Sequence, residues 1–177
     1  FYFDINVNLN DTNIIKLFDI YFQVKNLFEK NILLHENFNG KIAIKINSMK
    51  NFKFFNKANI YLNFINGKLL FDDTVFISDK IGKLTFVNSQ LLEQDNQNHF
   101  SAKILFKIEN QKKFYQTFQI LKSDRLKLKD IYIELDKKMN EDRVIVKKFE
   151  LNSKNKKNLL EKHIDLTEQF SYYESKE

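Results

Sequence analysis

The sequence predicts a mostly β domain: a curved antiparallel meander sheet of about eight strands, open as a half-barrel, with an N-terminal helix, a short mid-chain helix and a C-terminal helix packed on it. Three observations predict it. Apolar residues recur at every second position in most segments between Phe1 and Leu151, the period of a strand with one buried face. Proline is absent and glycine numbers only 3, so these segments can donate a full ladder of backbone hydrogen bonds. Cysteine is absent while Phe numbers 19 and Tyr 7, so the core is aromatic and aliphatic and holds no disulfide, thiol nucleophile or Cys-zinc site. At 177 residues the chain fits one domain, 1–177, with 153–177 read as a C-terminal helix and tail.

Phe1, Phe3, Ile5, Val7 and Leu9 lie on one face of a first strand, with Asp4, Asn6 and Asn8 opposite. Asp11 or Thr12 then caps a helix that carries Ile14, Leu17, Phe18, Tyr21, Val24 and Phe28 at helical spacing. A turn is expected at Asn37–Gly40, followed by a strand with Ile42, Ile44 and Ile46 on its inner face. Phe52, Phe54 and Phe55 fit either a helical turn or an edge segment. Ile60, Leu62 and Phe64 lead into Asn66–Gly67, the residue pair that best supplies the positive φ angles of a two-residue hairpin, and Leu69 and Phe71 return.

A second turn at Asp79–Gly82 precedes Leu84 and Phe86, and the strand is expected to bend near Asn88 before Leu91. Glu93–Asn98 is a polar turn. Phe100, Ala102, Ile104, Phe106 and Ile108 form the cleanest alternation in the chain. Asn110 caps a short helix over Gln111–Gln119, and Lys122–Lys129 is a basic connector. Ile131, Ile133 and Leu135 alternate again. The parity change between Val146 and Phe149 predicts a bulge in the strand that follows. Leu159, Leu160, His163, Ile164 and Phe170 suggest a last helix near Lys156–Phe170. The strands thus read as a meander interrupted by helices, not as βαβ units.

No constellation for catalysis, cofactor or metal binding emerges, so an enzyme is not expected. His35, His99 and His163 are far apart, and none has a second ligand at metal spacing. Asp72–Asp73 is the one paired carboxylate in the sheet region and reads as a solvated bend. There is no phosphate-cradling glycine loop and no nucleophile elbow. The formal charge is +6, yet only Arg125 and Arg143 are arginines, the side chain preferred for bidentate phosphate and base contacts. The lysines mostly alternate with acids. A solvated, weakly basic surface follows, with anionic lipid headgroups as the functional alternative and no nucleic acid expected.

The inner face cannot be left in water. Helices, a second sheet or a bound apolar ligand could cover it. The N-terminal helix spans only about 25–30 Å, enough for part of the sheet. The face closed by helices and the face left open as a trough both remain.

The stretch Ile60–Phe76 (IYLNFINGKLLFDDTVF), the stretch Ile81–Ile120, the helix bearing Lys112, Lys113, Phe114 and Tyr115, and the strand KLKDIYIELD resemble the AsmA-like family of bacterial envelope proteins over about Lys41–Leu151. The resemblance implies a taco-like sheet with an apolar concave face, a non-enzymatic role in phospholipid passage between membranes or in outer-membrane assembly, and a periplasmic location. It also implies an inner-membrane anchor that this stretch lacks. A start at Phe1 fits a segment of a longer envelope protein. On that reading phospholipid acyl chains lie against Ile42, Ile44, Ile60, Leu62, Phe64, Leu69, Phe71, Leu84, Phe86, Ala102, Ile104, Phe106, Ile131 and Ile133. The alternative is a structural or assembly module with a closed core that binds another envelope protein by a sheet edge.

Overall fold

The computed structural model describes residues 2–13, 32–50, 52, 54–141, 143–153 and 156–158. The alternating segments form β1 (Tyr2–Leu9), β3 (Asn39–Ile46), β5 (Lys57–Ile65), β6 (Lys68–Leu70), β7 (Val75–Ser78), β8 (Gly82–Gln94), β9 (Gln97–Ile108), β10 (Leu128–Lys138) and β11 (Ile145–Ser153). With β12 (Lys156–Asn158) they make a 10-stranded sheet in the order β1-β3-β5-β6-β8-β9-β10-β11-β12. β7 lies off this path and pairs with β5 and β8. β2 (Thr12–Asn13) and β4 (Met49–Lys50) pair separately as a small parallel ladder. The one α-helix among the described residues is α1 (Gln111–Thr117).

Four expectations need correction. The sheet is mixed, because β1 and β3 run parallel, from Tyr2 beside Asn39 to Leu9 beside Ile46. Alternation has the same period in parallel and antiparallel strands, and a parallel neighbour needs a long crossover, which residues 10–38 provide. The strand count exceeds eight because the line between β5 and β8 is split into β6 and β7, and because Lys156–Asn158, expected to open the last helix, instead pairs with Leu151–Ser153. Gly40 lies inside β3, not in the preceding turn. Phe52, Phe54 and Phe55 stand in neither helix nor edge strand, and the half-buried Phe52 and Phe55 pack into the core. The expected helix over Ile14–Phe28 lies outside the described residues, as does the remainder of the C-terminal one from Leu159.

The turns follow their residues. Asn66 (φ 49°) and Gly67 (φ 74°) join Ile65 to Lys68 in the two-residue hairpin geometry that needs both angles positive. Asp95 (φ 53°) and Asn96 (φ 58°) do the same between β8 and β9, inside the expected polar turn. Asn110 caps α1, its Oδ1 accepting from the Lys113 N–H at 3.1 Å.

The core lies on one face of the sheet, in three groups. Ile81, Phe106, Ile108 and Leu128 pack under Phe114 and Tyr115 of α1. Leu34, with Leu33 and Phe38 beside it, covers Phe64, Leu69 and Leu91. Ile46, Met49 and Ala58 close a third group with Phe52, Phe55 and Phe76. Among the described residues, cover is therefore concentrated at the two ends of the strands.

Candidate ligand-binding face

The register carries one apolar face across nearly the whole sheet. Ile5, Ile42 and Leu62 align across β1, β3 and β5, and Val7, Ile44 and Ile60 align one row below. On the other half, Phe86, Ile104, Ile133 and Phe149 align across β8 to β11, beside the row Leu84, Phe106, Ile131 and Leu151. Phe64, Leu69, Leu91 and Phe100 form the row at the opposite end. Leu135, aligned with Ala102 and Val146, completes the set.

A line of irregularities crosses this face. Between β6 and β7 the chain leaves the ladder at Phe71–Thr74, with Asp73 at φ 66°. In β8 the register shifts between Val87 and Gln90, with Asn88 at φ 48° and Ser89 buried. Across the break, the Asp72 carboxylate accepts from the Ser89 N–H at 2.7 Å, which explains the paired carboxylate as a bend. β9 is regular here and presents Ala102. In β11 the shift opposite Glu134/Leu135 leaves Lys147 as the extra residue, so Val146 and Phe149 both reach the apolar side. Bulges bend a strand and increase its twist. Each one here also corrects parity so that the apolar face continues beyond it.

All fourteen residues singled out from sequence lie on this face, but they are not equally accessible. Phe64, Leu69, Ala102 and Phe106 are buried. Phe64 meets Phe38 edge-on at 5.3 Å and Phe3 at 5.7 Å, and Phe106 meets Phe114 at 5.7 Å and Phe55 at 5.9 Å. Protein already occupies the contact that a ligand would make with these four. Ile42, Ile44, Ile60, Leu62, Phe71, Leu84, Phe86, Ile104, Ile131 and Ile133 are half-buried. Phe71 and Phe100 meet edge-on at 5.7 Å, and Leu84 and Ile131 border the α1 group.

Among the described residues the strip left between these groups runs across the strands from Ile5, still 45% exposed, to Phe86, Ile104 and Ile133. Within it Ile42 and Leu62 are half-buried against the Leu34 group, and Ile44 and Ile60 are half-buried against the Ile46 group. At about 4.8 Å per strand the strip spans roughly 29 Å. Ile5, Val7, Leu135, Val146 and Phe149 extend it and were not singled out. Their alternation was visible, but only the register shows that they continue the same rows.

The opposite face is mixed, with Asp, Asn and Lys interspersed with Tyr61, Leu70, Val75, Ile77, Val87 and Leu105. Two open depressions there, of about 560 and 400 Å³, adjoin at Asn6, Ala43 and Tyr61 and are otherwise lined mainly by Asp, Asn and Lys. Neither gathers a nucleophile with a base. On β10 and β11 the Tyr132 hydroxyl donates to Glu134 at 3.3 Å. Burial first, then the Glu134 charge, raises the Tyr132 pKa. Lys148 lies 5.5 Å over the Tyr132 ring and pairs with Glu150 at 2.9 Å, and that hydrogen bond and charge raise its pKa. Asp79 accepts from Lys57 and Asn56, both at 2.8 Å, and is held below the ordinary carboxylate range. These are surface pairs. His35 accepts from the Asn37 N–H at 3.2 Å, shaping the turn before β3. Among the described residues, no group of three His, Asp or Glu side chains could hold a metal ion, and no helix is long and apolar enough to cross a membrane.

No family model, curated protein or solved structure matches this chain.

Proposed function

We propose that the chain is a non-enzymatic module that holds phospholipid acyl chains against its apolar face, as an end segment of an AsmA-like envelope protein. On this reading the sheet curves into a half-barrel trough in the periplasm, held to the inner membrane by a part of the longer protein, and serves phospholipid passage or outer-membrane assembly. The supporting observation is the strip from Ile5 to Ile133, apolar in row after row and half-buried or exposed among the described residues, whose cover is concentrated at the two strand ends.

The energetics favour a two-chain lipid. Each methylene removed from water contributes about 0.8 kcal/mol, so about ten methylenes contribute about 8 kcal/mol. Association and ordering cost about 4–15 kcal/mol, which two chains offset more securely than one.

A second reading rests on β1. It is an outer strand of eight residues without proline or bulge, and its Tyr2 and Ile5 are exposed, so it offers an edge to which another envelope protein could add a strand. Native mass spectrometry after gentle purification separates the two. We expect adducts with phospholipid masses, lost on Ile104→Asp because a carboxylate there would be buried beside the chains. A protein that is lipid-free and takes up none from vesicles would contradict the proposal, and a co-purifying protein in its place would favour the edge.

A further inference from the structure

We propose that the end of the molecule built by α1 and the connector after it is a docking surface for membranes rich in anionic phospholipid. This goes beyond the holding of acyl chains and does not depend on it. Residues 110–129 carry six cations, Lys112, Lys113, Lys122, Arg125, Lys127 and Lys129, against the single acid Asp124. That is a net +5 in one short stretch of a chain whose formal charge is +6. All six cations are exposed, and none of the five lysines makes an ion pair among the described residues. The nearby acids are few. Asp124 accepts from the Ser123 hydroxyl at 2.9 Å, Asp79 is engaged by Lys57 and Asn56, and Glu109 and the half-buried Asp130 flank the stretch at its two ends.

Apolar side chains stand exposed within this cationic stretch. Leu121 is 68% exposed and Leu126 42%, and neither belongs to a core group. Phe118, 41% exposed, stacks on Phe54, 36% exposed, with centroids 5.2 Å apart and planes 8° from parallel. Cations with protruding Leu and Phe are the composition of a surface that sits in the headgroup layer, with apolar side chains reaching the acyl boundary. Bidentate contacts to nucleic-acid bases and phosphates favour arginine over lysine. The single one here is already engaged, its guanidinium 5.3 Å over the Tyr115 ring and its Nε donating to the Ile120 carbonyl at 3.1 Å.

Co-sedimentation of the full chain with vesicles tests this. We expect binding to phosphatidylcholine vesicles containing phosphatidylglycerol, and much weaker binding to phosphatidylcholine alone. Each Lys→Gln change at Lys112, Lys113, Lys122 or Lys127 should lower partitioning about fivefold. Leu121→Ser with Leu126→Ser should lower it at least about tenfold. These leucines are exposed, so the variant should keep the wild-type fold by circular dichroism. Lys41→Gln with Lys45→Gln, on the polar face of β3, should leave partitioning unchanged. Equal binding to both vesicle types would overturn the proposal. So would insensitivity to the leucines, or salt-dependent binding of single-stranded RNA in place of vesicles.

Discussion

Thr74 sits where the strand line between β5 and β8 is interrupted. Its Oγ1 accepts from the Tyr61 N–H at 2.9 Å and donates to the Tyr61 carbonyl at 3.1 Å, so a side chain stands in for the missing ladder partner. The residue is buried, and water cannot readily replace it. Thr74→Val keeps the shape and removes both bonds. It should cost about 1–3 kcal/mol in urea denaturation, whereas Thr74→Ser, which keeps the hydroxyl, should lose less. Equal losses for the two would mean that packing, not hydrogen bonding, sets the position. The Asp72–Asp73 bend was legible from its residues, because a polar pair between two apolar runs rarely stays in a ladder. The role of Thr74 was not, because a β-branched residue two positions before Phe76 looks like any other strand position.

At the scale of elements, legibility followed local chemistry. The Asn66–Gly67 hairpin, the bend at Asn88, the Asn110 cap and the β11 bulge each have a signature within a few residues, and each stands where expected. The parallel pairing of β1 and β3 has none, since period-two alternation is blind to direction. β12 was read as helix because Leu159, Leu160, Ile164 and Phe170 carry helical spacing, while Lys156–Asn158 is polar and matches no pattern. The bulge yields an element-scale prediction. Lys147 is the unpaired residue, so deleting it should join Val146 to Lys148 in a regular ladder and keep both apolar contacts. Its ion pair with Asp136 is at the surface, so the deletion should cost no more than about 1 kcal/mol. Deleting Lys103 from regular β9 should instead turn one part of that strand's apolar set to the wrong face and abolish cooperative unfolding. If the two deletions are equally disruptive in thermal denaturation, the bulge is not where the register places it.

At the scale of the whole molecule, one face is apolar across eight strand positions, and among the described residues its cover is concentrated at the strand ends. The inner-face residues were legible because alternation assigns a side chain to a face. Which of them protein seals was not, because the sealing groups, Leu34 and Phe38 before β3 and Phe114 on α1, come from segments with no strand period. Site-specific photocrosslinking tests the central claim most directly. A photoreactive phenylalanine analogue at Leu62 or Ile104, on the apolar face, and at Tyr61 or Leu105, adjacent in sequence and on the other face, is irradiated with the protein in the cells that express it or with phospholipid vesicles. Phospholipid crosslinks at Leu62 and Ile104 with none at Tyr61 and Leu105 are the predicted result; crosslinks on both faces alike, or on neither, would contradict it.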